Sequence, residues 1–133
     1  MKSFTSVVVA LVLSMSAGCR SDRPVSDAPR TEFNLLHSVA SGSTIRICGW
    51  FEAAYEVCSL STSKGAAMFP DPRHIWVIPK NDVCDLSKVV EHPIGSWAEL
   101  TGRLNAGEGQ GHLGGYSYSL SDAVVRLKTA PCP

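Results

Sequence analysis

The chain has no excess of either charge. Twelve Lys plus Arg stand against twelve Asp plus Glu, and beyond residue 18 the balance is eleven against twelve. Nucleic-acid binding demands a basic face, and a polybasic contact with a lipid surface demands the same, so neither is expected. Beyond residue 18 no apolar run is long enough to cross a bilayer as a helix. Signatures of catalysis are missing too. Gly-x-Ser-x-Gly is absent, and Gly95-Ser96-Trp97 stands before a strand pattern, where a nucleophile elbow does not belong. The histidines, His37, His74, His92 and His112, never fall at the His-x-x-x-His spacing of zinc hydrolases. No Lys-Ser or Lys-Thr opens a helix after the glycine-rich stretch, so that stretch is not a phosphate loop. No catalytic residue, metal ligand set or cofactor is expected.

What the chain does have begins at its start. Lys2 supplies a positive charge, Val7 to Leu13 form an apolar run, and Ser16, Ala17 and Gly18 lead into Cys19. This is the layout of a secretory signal, too short in its apolar part to span a bilayer as a mature helix. Ala17-Gly18-Cys19 resembles a bacterial lipoprotein processing site, in which the Cys becomes the lipidated first residue; Ser16 stands where that pattern prefers Leu. The alternative is ordinary cleavage near Ala17 with Cys19 left free. The expected organisation is a signal peptide over 1–18, a lipidated Cys and flexible tether over 19–31, and one domain over 32–133. Several acyl chains would hold the protein at the membrane, facing the periplasm. Arg20, rather than Asp, after the Cys favours an outer-membrane address in a Gram-negative host.

The cysteine count agrees with that layout. Of five cysteines, lipidation of Cys19 leaves Cys48, Cys58, Cys84 and Cys132, an even set that can pair fully in an oxidising compartment. Their spacings of ten, twenty-six and forty-eight contain no Cys-x-x-Cys and no His at zinc-finger distance. Four cysteines allow three connectivities. Cys48–Cys58 across adjacent strands is one option, and Cys58–Cys84 with Cys48–Cys132 is another. A domain of roughly a hundred residues buries only about two-thirds of its unfolded surface, so covalent staples matter.

Along the chain, Arg20 to Arg30 carries two prolines and alternating charges and reads as tether. Thr31 is expected to cap a short helix through Val39, with Phe33, Leu36 and Ala40 on one stripe. Thr44 to Phe51 alternates as a first strand, with Gly49 on the isoleucine face at a bend or bulge. Tyr55 to Ser61 reads as strand two and His74 to Ile78 as strand three. Asp85 to Glu91 forms one or two helical turns, capped by Asp85 and stopped by Pro93. Trp97 to Leu104 is strand four, with Ala98, Leu100, Gly102 and Leu104 inward. Asn105 to Gly115 reads as a glycine-rich loop, Tyr116 to Leu120 as a short extension, and Ala123 to Lys128 as the last strand, with Ala123, Val125 and Leu127 on one side. The expected fold class is all-β with one or two short helices: a small five-stranded Greek-key barrel of the oligonucleotide/oligosaccharide-binding (OB) type. A small open β-sandwich is the competing fold.

Several segments carry a resemblance. Thr44-Ile45-Arg46-Ile47-Cys48-Gly49-Trp50-Phe51, Tyr55-Glu56 with Leu60, Ile75-Trp76-Val77, and Gly111-His112-Leu113-Gly114-Gly115-Tyr116 with Ser119-Leu120 are similar to elements of a group of small bacterial OB-like proteins. The resemblance covers roughly residues 33 to 128 and implies the fold, without a mechanism. Its usual member has fewer cysteines, so the disulfide set is a departure.

The candidate binding residues are His112, Glu56, Trp50, Trp97 and Tyr116. His112 sits among Gly107, Gly109, Gly111, Gly114 and Gly115, where the backbone can turn sharply or approach a ligand closely. Alternatively its ring locks the loop to the barrel. Glu56 could face His112 as an acid–base or metal pair; alternatively it points to solvent or pairs with an Arg such as Arg46 or Arg103. Trp50 and Trp97 fall opposite the aliphatic residues of their strands and, with Tyr55, Trp76, Tyr116 and Tyr118, could form a stacking platform. The expected function is a non-catalytic binding or envelope-accessory module for a sugar, peptidoglycan fragment or protein. A scaffold for another envelope protein and a metal-binding protein using His112 with Glu56 are the alternatives. Cys19→Ser is expected to move the protein into the soluble fraction on cell fractionation; unchanged membrane association would refute the anchor.

Overall fold

Alternation of apolar and polar residues carries β1 (Thr44–Ala54) three residues beyond the expected Phe51. Ile45, Ile47, Gly49, Phe51 and Ala53 are buried on one face, while Arg46, Cys48, Trp50, Glu52 and Ala54 keep partial exposure on the other. The computed structural model describes residues 27–54, 57–65, 74–89 and 93–133. The expected signal segment, Cys19, the first part of the expected tether and Glu56 lie outside them.

Four further strands follow: β2 (Val57–Ser61), β3 (Ile75–Pro79), β4 (Ile94–Gln110) and β5 (Tyr116–Lys128). They close into a barrel in the order β1-β2-β3-β5-β4. Among these five strands β3 and β5 run parallel and the other pairs antiparallel. This is the OB-like Greek-key barrel expected, and closure leaves no long sheet edge open to another chain. A short helix, α1 (Leu86–Val89), lies between β3 and β4 as expected, after a single 3₁₀ turn over Asp82–Cys84. The core is Ile45, Ile47 and Phe51 from β1, Leu60 from β2, Ile75 and Val77 from β3, Ala98, Leu100 and Leu104 from β4, and Leu120 and Ala123 from β5.

Several elements differ from expectation. The helix after the tether is a 3₁₀ helix, Phe33–Ser38. At three residues per turn Phe33, Leu36 and Val39 align, so Val39 packs on the core and Ala40 is exposed. Thr31 does not cap it. Its N–H donates instead to the Arg46 carbonyl (2.8 Å), while the Arg46 N–H donates to the Pro29 carbonyl (2.9 Å). Residues 29–31, expected as the end of the tether, therefore fill the edge of β1 that β2 leaves free: β2 pairs only with Trp50–Ala54.

The glycine-rich stretch is mostly strand. β4 continues through Asn105 to Gln110, and only 111–115 turns. Pairing explains it: Asn105 meets Ser119, Ala106 meets Tyr118, and Gln110 meets Tyr116 across an irregularity that absorbs the glycines. The two expected C-terminal strands are one. Asp122, at φ 52, marks the bulge inside β5 without ending it. Of the three residues expected on one side of the last strand, Ala123 is buried and Val125 packs on the core, while Leu127, near the end of β5, is 55% exposed.

Two disulfides staple the barrel. Cys48 of β1 joins Cys132 near the C-terminus (Cα–Cα 5.8 Å), and Cys58 of β2 joins Cys84 before α1 (5.9 Å). This is the second of the two pairings considered above. The loops closed span 84 and 26 residues. Chain-entropy arithmetic puts each at about 3–5 kcal/mol, the longer loop contributing more.

Gly49 meets its neighbours more closely than any side chain would allow. A Cβ there would lie 2.5 Å from the Ser61 carbonyl oxygen and 2.9 Å from the Phe33 ring. One obstacle is backbone and cannot swing aside. Gly49→Ala is expected to destabilise the fold by about 1–3 kcal/mol through overpacking, read as a lowered Tm; an unchanged Tm would show that β2 has room to shift.

Candidate functional site

Five strands contribute one polar row to the outside of the barrel. Register places Glu52 of β1 opposite Ser59 of β2, Ser59 opposite Trp76 of β3, Trp76 opposite Ser119 of β5, and Ser119 opposite Asn105 of β4. Residues opposite one another on paired strands share a face, and the inward neighbours Phe51, Ala53, Leu60, Ile75 and Val77 confirm which face that is.

Aromatic rings cover this row. Trp76 and Tyr116 lie with ring centroids 5.3 Å apart, tilted by 57°. Trp50 and Trp97, directly paired across β1 and β4, meet edge to face at 5.7 Å and 86°. Each Trp is half-buried, so the exposure expected for Trp50 and Trp97 is reduced by their contact with each other. Edge-to-face pairs of this kind contribute about 0.5–1.5 kcal/mol beyond burial.

The turn after β4 is set onto the Trp76 ring by polar contacts at its root. Ser119 Oγ donates to Gln110 Oε1 (2.9 Å), and Asn105 Nδ2 donates to Ser119 Oγ (3.3 Å) and Ser121 Oγ (3.1 Å). Gly111 then adopts φ 70, and a Cβ on it would lie 2.6 Å from ring carbons of Trp76. Glycine is needed there both for the backbone and for the approach. His112 begins the turn His112–Gly114 immediately beyond; its side chain, like the whole of Glu56, falls outside the described structure. Leu113, at φ 56, carries its side chain out at 91% exposure.

Ser59 is 1% exposed although it belongs to the outer face. Trp50 Nε1 is shielded from solvent and finds no hydrogen-bond partner among the described residues. Such a group costs about 1–3 kcal/mol. Burial holds the Tyr116 phenol above its ordinary range; the adjacent Ser59 hydroxyl opposes that shift and the Glu52 carboxylate reinforces it. Tyr116, Ser59 and Glu52 are thus electrostatic neighbours.

Two grooves flank the Trp50–Trp97 pair. One, of about 560 Å³, is lined by Trp50, Glu52, Ala54, Val57, Lys64, Pro93, Ile94 and Gly95. The other, of about 320 Å³, lies beside the Cys48–Cys132 bridge and is lined by Glu32, Phe33, Asn34, Thr62 and Trp97. Among the described residues no group of three or more His, Cys, Asp or Glu side chains could hold a metal ion, and no helix is long and apolar enough to cross a membrane.

Of the residues named from sequence, the structure joins Trp50 to Trp97 and places Tyr116 on Trp76. Glu52, Ser59 and Lys64 were missed. Glu52 was legible, since it follows Trp50 by two in a strand and must share its face; Ser59 and Lys64 carried no signal. Comparison of the chain with models of known protein families, with curated proteins and with solved structures finds no match.

A raised folded-state pKa means that the folded protein holds the Tyr116 proton more tightly than the unfolded chain. Below pH 10.0, its ordinary value, both states are neutral; above it the unfolded chain ionises first and stability is lost. Wild-type stability relative to Tyr116→Phe is therefore expected to fall as pH rises through that value, checked by thermal melts of both proteins; parallel curves would overturn the assignment.

Proposed function

We propose that this chain is a lipoprotein of the bacterial cell envelope, exported by its signal segment and held at the membrane through Cys19, whose OB-like domain binds a ligand without catalysis. The resemblance to small bacterial OB-like proteins carried by the Gly111–Tyr116 motif fits that reading. The binding surface is the outer face bearing Glu52 and Trp76, flanked by Trp50 and Tyr116. One observation carries the reading: this polar row is bracketed by half-buried aromatic pairs. Half-exposed rings beside the Glu52 carboxylate suit a saccharide, whose C–H faces stack on aromatics while its hydroxyls donate hydrogen bonds to the carboxylate. OB barrels present ligands to this part of the sheet and to the loop between strands four and five, which here is the His112 turn.

A second reading has its own support. Leu113, 91% exposed at the tip of the β4–β5 turn, is the kind of side chain a protein partner covers. In that reading the chain is an envelope scaffold, and crosslinking in intact cells through position 113 would capture the partner.

Titration of the purified protein with peptidoglycan-derived saccharides is expected to change Trp fluorescence saturably, and Trp76→Ala to weaken that binding about ten-fold or more. No saturable change, or equal binding by the variant, would refute the assigned surface.

A further inference from the structure

Lys64 holds its Nζ 5.8 Å from the centroid of the Trp50 ring, over the indole face. The groove before that ring has a mixed character: Val57, Pro93 and Ile94 make apolar walls, and Glu52 is its one carboxylate among the described lining residues. Glu52 lies two residues after Trp50 in β1, on the same outer face. The geometry points to this groove as a seat for an organic ammonium ion, with Lys64 as the intramolecular stand-in that occupies it in the free protein.

The argument is electrostatic. An indole face attracts cations through its quadrupole, and a carboxylate beside it supplies the counter-charge. Apolar walls receive the methyl groups or ring carbons that an organic ammonium carries and a hydrated metal ion lacks. A neutral ligand would have to displace the Lys64 ammonium from the ring and put nothing equivalent in its place; an anion would also meet Glu52. A cationic ligand exchanges one ammonium for another. The stand-in leaves at little cost, because Lys64 is exposed and sits on a turn with Gly65 at φ 78, beyond the end of β2. Its release returns a lysine to water without breaking a strand.

The inference rests on the outer face being a binding surface and names the chemistry that face selects. The ammonium could belong to an amino sugar or to a quaternary headgroup, so the test carries both. The purified chain is titrated at constant ionic strength with glucosamine, choline and N-acetylglucosamine, followed by calorimetry and Trp fluorescence. Saturable binding of glucosamine, of choline or of both is expected, with N-acetylglucosamine weaker by about ten-fold. Glucosamine alone would assign the ammonium to a sugar, choline alone to a headgroup; either supports the seat. Lys64→Ala is expected to tighten binding of the cation about two- to five-fold by removing the competitor. Glu52→Gln is expected to weaken it roughly five-fold. A merely structural Lys64 would not give the tightening, and unchanged or weaker binding by Lys64→Ala overturns the proposal. So does N-acetylglucosamine binding as tightly as the amine, in which case the saccharide-binding surface stands and only the ammonium seat falls. If none of the three binds and Trp76→Ala alters no saccharide titration, both fall together.

Discussion

The close approach of three chain segments at Gly49 governs how the sheet closes. At Arg46, β1 pairs with β4 on one side and with residues 29–31 on the other; from Trp50 onward the second side belongs to β2. The change of partner happens where the Ser61 carbonyl and the Phe33 ring converge on the glycine. If β2 stood further off, Trp50 would lose its register with Ser61, and the row from Glu52 to Ser59 to Trp76 would not line up. The alignment of this outer row is thus a consequence of a packing constraint one residue before Trp50.

Much of the barrel was legible because strand periodicity is a strong local signal. Ile45, Ile47, Ala98, Leu100 and Leu104 alternate with polar residues and all are buried. The glycine-rich stretch misled because a glycine weakens strand propensity whether or not a partner is present. Residues 105–110 are strand because β5 pairs with them, a long-range fact that composition cannot contain. Asp122 misled in the same way, since a bulge and a turn look alike in sequence. The helix after the tether was placed correctly, but its 3₁₀ winding exchanged Val39 for Ala40 on the packed face.

The site was legible in part. Trp50, Trp97 and Tyr116 are where their strand phases put them, on the outer surface. Their partners were not legible, because cross-strand neighbours depend on register. Ser59 shows the limit: a serine on the outer phase of a strand should meet water, yet rings from β3 and β5 close over it. Polar burial of this kind arises from tertiary covering and leaves no trace in the local pattern.

The Cys48–Cys132 bridge joins the first strand to the segment that follows the fifth. A chain that emerges amino end first, from a ribosome or through a membrane pore, can form Cys58–Cys84 while its remainder is still hidden. The other bond must wait for the segment that follows β5. Covalent completion of the barrel is therefore a signal that all five strands have emerged, and a chain interrupted before Cys132 would be left with a single staple and an unpaired thiol on β1.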